Sequence, residues 1–265
     1  MLPRILLALL LARSLTAQSN AVAKTLFTSR DARAAAGFLA GAIIISRFDP
    51  KIARFFSDTS LSHVRVGDRL DRYATHINET TLTLAGIAAY GVGRLTKSRA
   101  TTDIAFHTTE SLITASLASQ LIRGPLGRSR PQETNSKNQY DFHWFKGFNN
   151  FAYRAFPSIH SASGFAAATA LVQETRIRDP SAVKFLAPVL YGLAMTPGLS
   201  RMYLGQHWAS DVFAGAFMGT FAGTKVVQYS HTHPGNRFQD AFVPSRGLQW
   251  SAEGGRLGFA WRGTF

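Results

Sequence analysis

His207 and Asp211 lie four residues apart, and the residues that follow, Val212, Phe213, Ala216, Phe217 and Phe221, recur at helical spacing. On a helix the two share one face. A carboxylate one turn from an imidazole can hold one ring nitrogen and leave the other free, which is the base and orienter half of a nucleophilic site. Arg201 stands just upstream, where it can meet an anion held against the histidine. Taken alone, a histidine four residues before an aspartate also describes an ordinary surface pair.

Two further stretches carry compatible chemistry. Arg123 to Pro131 places Arg123 and Arg130 seven apart in a Gly/Pro-rich loop. Phe156-Pro157-Ser158-Ile159-His160 opens a second helix, with Ser158 as its N-cap. Planar guanidinium forks grip phosphoryl oxygens two at a time. A helix N-terminus adds backbone N–H groups and a dipole that favours an anion. Singly, each element has a plainer reading: loop arginines as surface charge, Ser158 as a cap only, His160 as a capping or core histidine.

In this order the three stretches resemble the signature motifs of the type 2 phosphatidic acid phosphatase and vanadium haloperoxidase superfamily. Those motifs read Lys-x6-Arg-Pro, Pro-Ser-Gly-His and Ser-Arg-x5-His-x3-Asp. Here they are Arg123-x6-Arg130-Pro131, Pro157 to His160, and Ser200 to Asp211, within a match of roughly residues 100 to 228. Gly205-Gln206-His207-Trp208 followed by Ser210-Asp211-Val212 is also similar to bacterial class A acid phosphatases. The resemblance implies a metal-independent phosphatase with no cofactor. In it His207 is the nucleophile that forms a phosphohistidine, His160 the general acid, and Asp211 the group that orients His207. Arg123, Arg130, Ser158, the Ile159 backbone N–H and Arg201 bind the phosphate. Two positions depart from the pattern. Arg123 stands where the family has lysine, and Ile159 stands where it has glycine, so a β-branched side chain that rejects positive φ brings bulk to the pocket rim.

The elements that must position these residues are helical. Helices are expected from Ala34 to Ser46, Pro50 to Phe56, Thr80 to Gly93, Thr102 to Ile122 (with His107 and Glu110 among apolar residues), Ser158 to about Gln173, Ser181 to Met195, and Ala209 to about Tyr229. Pro197-Gly198 reads as a break before the His207 motif. The expected fold class is all-α, a bundle of about six main helices, with a short C-terminal β-hairpin from the Leu248, Trp250, Gly254-Gly255, Leu257, Phe259 pattern. Gly215, Gly219 and Gly223 form a stripe against which a neighbouring helix can pack closely. Eight aromatic residues between Tyr140 and Phe156 read as a lid over the site, or as a loop with its own small core. His231-x-His233 beside Pro234-Gly235 reads as a solvated pair in a polar turn rather than a metal site.

By segment, residues 1–17 read as a signal peptide, 18–60 as a linker and helix, 61–229 as the phosphatase core, and 230–265 as a tail carrying the hairpin. Cysteine is absent, which excludes disulfides and cysteine-based metal sites. The formal net charge of +14 favours anionic partners. The uncharged runs 34–46, 80–93, 185–200 and 212–224 fall short of the ~20 apolar residues that span a bilayer. The mean hydropathy of −0.01 points the same way, to an exported, periplasmic or secreted bundle.

Three rival readings stay open at this level. One is a membrane-embedded phosphatase acting on lipid phosphates or isoprenoid pyrophosphates, its site facing outside the cytoplasm. Another is a haloperoxidase that binds vanadate in the same pocket. The third is a non-catalytic binder of anionic polymers or membranes, with steeply salt-dependent binding. The partner expected is a phosphate-ester substrate, with peripheral or integral membrane association and no nucleic acid.

Overall fold

A computed structural model describes residues 26–57, 72, 74 and 76–233, together with the backbone of 247–253 and 256–262. The expected signal peptide lies outside the described residues. Among the described residues, seven α-helices follow in order: α1 (Ser29–Ser46), α2 (Asp49–Ser57), α3 (Glu79–Leu95), α4 (Arg99–Leu126), α5 (Ile159–Arg178), α6 (Val183–Tyr203) and α7 (Ala209–Thr232). Six are long and α2 is short, so the bundle is all-helical as the periodicity implied. The backbone of Gly247–Glu253 pairs antiparallel with that of Arg256–Arg262.

Local capping explains most helix starts. Asp31 accepts the backbone N–H and the hydroxyl of Thr28 at 2.7 and 2.9 Å, closing a capping box on α1. Asn78 accepts from the N–H groups of Thr80 and Thr81, both at 3.0 Å, and starts α3. Ser158 caps α5 through the Ser161 N–H. At the other end of α4, Gly127 turns the chain with φ 58° and ψ 45°. A Cβ there would sit 1.8 Å from the His143 carbonyl oxygen, so glycine alone fits.

Pro197-Gly198 does not break α6, which runs on to Tyr203. A proline here leaves the Leu193 carbonyl without its helical donor. The Thr196 hydroxyl supplies one at 2.7 Å, and Pro197 is buried. Tertiary packing then carries the helix on through a residue that propensity disfavours.

The centre of the bundle is α5 against α7. Cβ atoms built on Gly215 and Gly219 would lie 2.3 and 2.2 Å from the carbonyl oxygens of Ser158 and Ala162. The facing α5 positions Ala162, Ala166 and Ala170 are fully buried. The two backbones therefore touch, and the glycine stripe sets the register of the two helix N-termini. The Ser158 N–H donates to the Asp211 carbonyl at 3.0 Å. That register carries His160 on α5 and Asp211 on α7 to one end of the bundle.

Candidate active site

The structure brings Arg123, Arg130, Ser158, His160, Arg201, His207 and Asp211 to that end. His207 is buried in the loop before α7, and its Nδ1 is 2.6 Å from the Ala155 carbonyl oxygen. A carbonyl only accepts, so Nδ1 carries the proton and Nε2 is left with the lone pair. The spacing alone gave this hydrogen bond to Asp211. Asp211 Oδ2 instead lies 3.7 Å from Nδ1, an ion-pair distance. Burial pushes the His207 pKa down, with Arg130 and Arg123 adding to the effect and Asp211 opposing it. The imidazole is neutral and oriented by a backbone carbonyl from the 140–156 loop.

Asp211 is itself tied into the fold. Its Oδ1 accepts from Arg128 Nη1 at 2.5 Å, and its Oδ2 from the Trp208 N–H at 2.7 Å, which caps α7. Burial alone would raise its pKa, but Arg128, His207 and the Trp208 N–H outweigh it and the net direction is down. Arg128 Nη2 also reaches Asp49 Oδ2 at 2.8 Å, and Asp49 accepts from the Ser210 N–H at 2.9 Å. All three charged groups are buried. Trp208, fully buried, donates its indole N–H to the Ser129 carbonyl at 2.9 Å. The segment 128–130 is thus fastened on both sides, and Arg130 is held in place.

The arginines differ in their remaining capacity. Arg123 Nη2 donates to the Arg154 carbonyl at 2.8 Å, while its Nε has no partner among the described residues. Arg130 Nε and Nη1 are likewise buried without partners there, and its guanidinium lies 3.5 Å from the Phe151 ring centroid. Burial lowers both pKa values to about 10, and mutual repulsion among the arginines contributes. They are charged at any physiological pH. Arg201 Nη1 donates to Gln206 Oε1 at 3.0 Å, and its Nη2 lies 3.2 Å from His160 Nε2.

His160 completes the group. Its ring centroid is 6.5 Å from that of His207, and its Nδ1 is buried without a partner among the described residues. Burial first, then the charges of Arg201, His207, Arg123 and Arg130, depress its pKa to about 3. Glu79 Oε2, also buried and unpartnered, lies 3.9 Å from His160 Nε2. Buried cationic donors without acceptors are costly unless an anion meets them. The geometry suits a tetrahedral oxyanion placed between the arginines and the two imidazoles. Ile159 takes an ordinary negative φ as the first residue of α5, and its side chain is 4 % exposed. A β-branched residue takes this backbone without conflict.

A sequence model of the PAP2 superfamily matches residues 105–234. This stretch belongs to that superfamily. Among curated relatives, it is 32% identical over 123 residues to a lipid A 1-phosphatase of Rhizobium etli, covering 45% of this chain and 48% of that one. It is 29% identical over 132 residues to a lipid A 4'-phosphatase of Bacteroides thetaiotaomicron, covering 49% and 55%. The chain therefore spans about half the length of these relatives. A solved PAP2-type phosphatidylglycerolphosphate phosphatase from Bacillus subtilis aligns over 72% of this chain and 99% of that one, with a TM-score of 0.42 and 20% identity.

Spacing did not single out Arg128, Asp49, Glu79 or the Ala155 carbonyl. Arg128 sits between the two motif arginines and nothing in its position marks it as the one turned inward. Asp49 is remote in sequence, and Glu79 reads as a first-turn acid of α3. The 140–156 loop exposes Trp144, Phe145 and Phe151 at 66, 65 and 61 %. It lies open to its surroundings rather than enclosing a core of its own.

Proposed function

We propose that the protein hydrolyses phosphate monoesters, in particular lipid phosphates, through a phosphohistidine on His207. The observation that carries this reading is the set of buried, unpartnered donors on Arg123, Arg130 and His160 beside a neutral His207 whose Nδ1 is tethered. In the proposed sequence Arg123, Arg130, Arg201 and the N–H groups at the start of α5 hold the phosphoryl oxygens. His207 Nε2 attacks phosphorus, and the leaving alkoxide takes a proton from His160. Water then attacks the phosphoimidazole and gives its proton to His160, releasing phosphate. The arginines supply the positive charge, so the reading requires no metal in this site. A donor of this kind is worth about 3 kcal/mol in the transition state, and general acid catalysis roughly 10²–10⁴-fold.

His160 must be protonated to act as the acid, yet the empty arginine cluster disfavours that form. A bound phosphate dianion cancels the field of the arginines, and Glu79 adds a second negative charge. Protonation of His160 thus accompanies substrate binding in this reading.

Lipid phosphates are favoured for two reasons. The curated relatives are lipid A phosphatases by name. The outer faces of the helices also expose large apolar side chains, among them Ile43 and Ile44 on α1, Leu84 on α3, Leu117 and Leu121 on α4, and Val189 on α6. Monomeric soluble proteins rarely expose so many together. No helix among the described residues is long and apolar enough to cross a membrane. We infer a bundle whose apolar sides are seated in a lipid surface, with the site opening towards the head groups.

The test is phosphate release with EDTA present, from a lipid phosphate in mixed micelles and from a water-soluble aryl phosphate. Wild type is expected to release phosphate from both and faster from the lipid, and His207→Ala from neither. Equal release by the two proteins would remove His207 from the chemistry.

A further inference from the structure

Far from these residues, the same three helices bring together a second set of polar side chains. His107 on α4 places Nδ1 2.5 Å from Glu174 Oε1 on α5, and His231 in the last turn of α7 places Nε2 3.0 Å from the same oxygen. At 1.5 Å of rise per residue, these positions lie about 20–30 Å along their helices from Arg123, His160 and Asp211. The polar turn expected at His231 is instead helix, since α7 continues to Thr232, and His231 is partnered rather than solvated.

We propose that His107, Glu174 and His231 bind one divalent transition-metal ion, with Zn²⁺ the ion that best fits their donor set. Two imidazoles and one carboxylate from three different helices form a known class of Zn²⁺ ligand set, completed by water. The three donor atoms lie within 4.8 Å of one another. Tetrahedral Zn²⁺ with bonds of about 2.1 Å holds its ligands about 3.4 Å apart, so small side-chain shifts suffice. Both imidazoles already aim at one point. In the hydrogen-bonded arrangement each donates an N–H to Oε1. To ligate, each ring carries its proton on the other nitrogen, so that a lone pair faces the ion.

The surroundings support a built site. Glu174 and His107 are buried, while the His231 side chain is 34 % exposed and provides a way in. Arg178 Nη1 holds the second carboxylate oxygen, Oε2, which leaves Oε1 for the ion. Arg178 is shared, because its Nη2 lies 3.6 Å from Asp103 Oδ2. The Ser111 hydroxyl donates to the His107 carbonyl at 2.7 Å. An ion here would clip the C-terminal end of α7 to α4 and α5, opposite the end where the glycine stripe sets the register. It would take no part in phosphoryl transfer.

The experiment uses the full chain without an affinity tag, stripped with chelator and then dialysed free of it. Zn²⁺ is titrated calorimetrically, and Co²⁺ is added in parallel to read its visible absorption. Wild type is expected to bind one ion per chain and to melt at a higher temperature when loaded. His231→Ala and His231→Gln should each weaken binding by at least roughly tenfold and lose the Co²⁺ bands. Both should keep wild-type phosphate release in EDTA, which separates this site from the reading of His207. Absence of stoichiometric binding by a folded wild type would overturn the proposal, as would equal binding by wild type and both variants.

Discussion

Replacing Arg128 with leucine removes the cation that lies between Asp49 and Asp211. Both carboxylates are fully buried, and Arg128 holds them at 2.8 and 2.5 Å. Removing one partner of a buried pair costs about 3–5 kcal/mol because a charge is left uncompensated. At roughly 2–4 °C per kcal/mol for a domain of this size, the melting temperature should fall by about 6–20 °C. The pH dependence identifies the cause. Asp211 has a folded pKa below its unfolded value, so in wild type it stabilises the fold above the unfolded carboxylate pKa, and that contribution is lost as pH falls through the folded value. Without Arg128 that pKa rises. The deficit of the variant should therefore be largest near neutrality and shrink as pH falls into the carboxylate range. Adding Asp49→Asn to the leucine variant should restore part of the loss, since it neutralises one stranded charge. Differential scanning fluorimetry across pH on the three proteins reads all of this. A melting temperature within 2 °C of wild type (roughly the effect of 1 kcal/mol or less) would refute the ion-pair account. So would a deficit that grows as pH falls.

Glu79→Gln removes the negative charge nearest His160 Nε2, so the protonated acid is less favoured in the substrate complex and the alkaline limb of the kcat profile should move to lower pH; an unmoved limb would place Glu79 outside the mechanism. Gly219→Ala drives a methyl into the Ala162 carbonyl and should destabilise by about 1–3 kcal/mol or more, read as a lower denaturation midpoint. Trp144→Ala or Phe145→Ala in the exposed aromatic loop should change the ratio of lipid to aryl phosphate turnover and leave inhibition by free phosphate unaltered. An unchanged ratio would count against a role for the loop in substrate choice.

The bundle was legible because apolar residues recur at helical spacing between clear caps, and because Gly215, Gly219 and Gly223 leave no room for anything but a close neighbour. Family membership was legible because three motifs in fixed order are far more specific than any one of them. The continuation of α6 past Pro197 was not, since it depends on Thr196 turning its hydroxyl to the Leu193 carbonyl, a rescue that propensity does not describe. Likewise, the spacing of His207 and Asp211 announced a shared helix face, but His207 lies just before the helix begins and its Nδ1 meets the Ala155 carbonyl instead. Asp49, Arg128 and the joining of His231 to His107 and Glu174 are products of long-range packing, which local pattern does not encode.

The central claim is that phosphate passes through His207. Wild type mixed for milliseconds with a phosphorus-labelled ester and quenched in base should carry label on the peptide containing His207, stable to alkali and lost in acid. His207→Ala should carry none. Label on another residue, or steady turnover with no labelled enzyme at any quench time, would contradict the account.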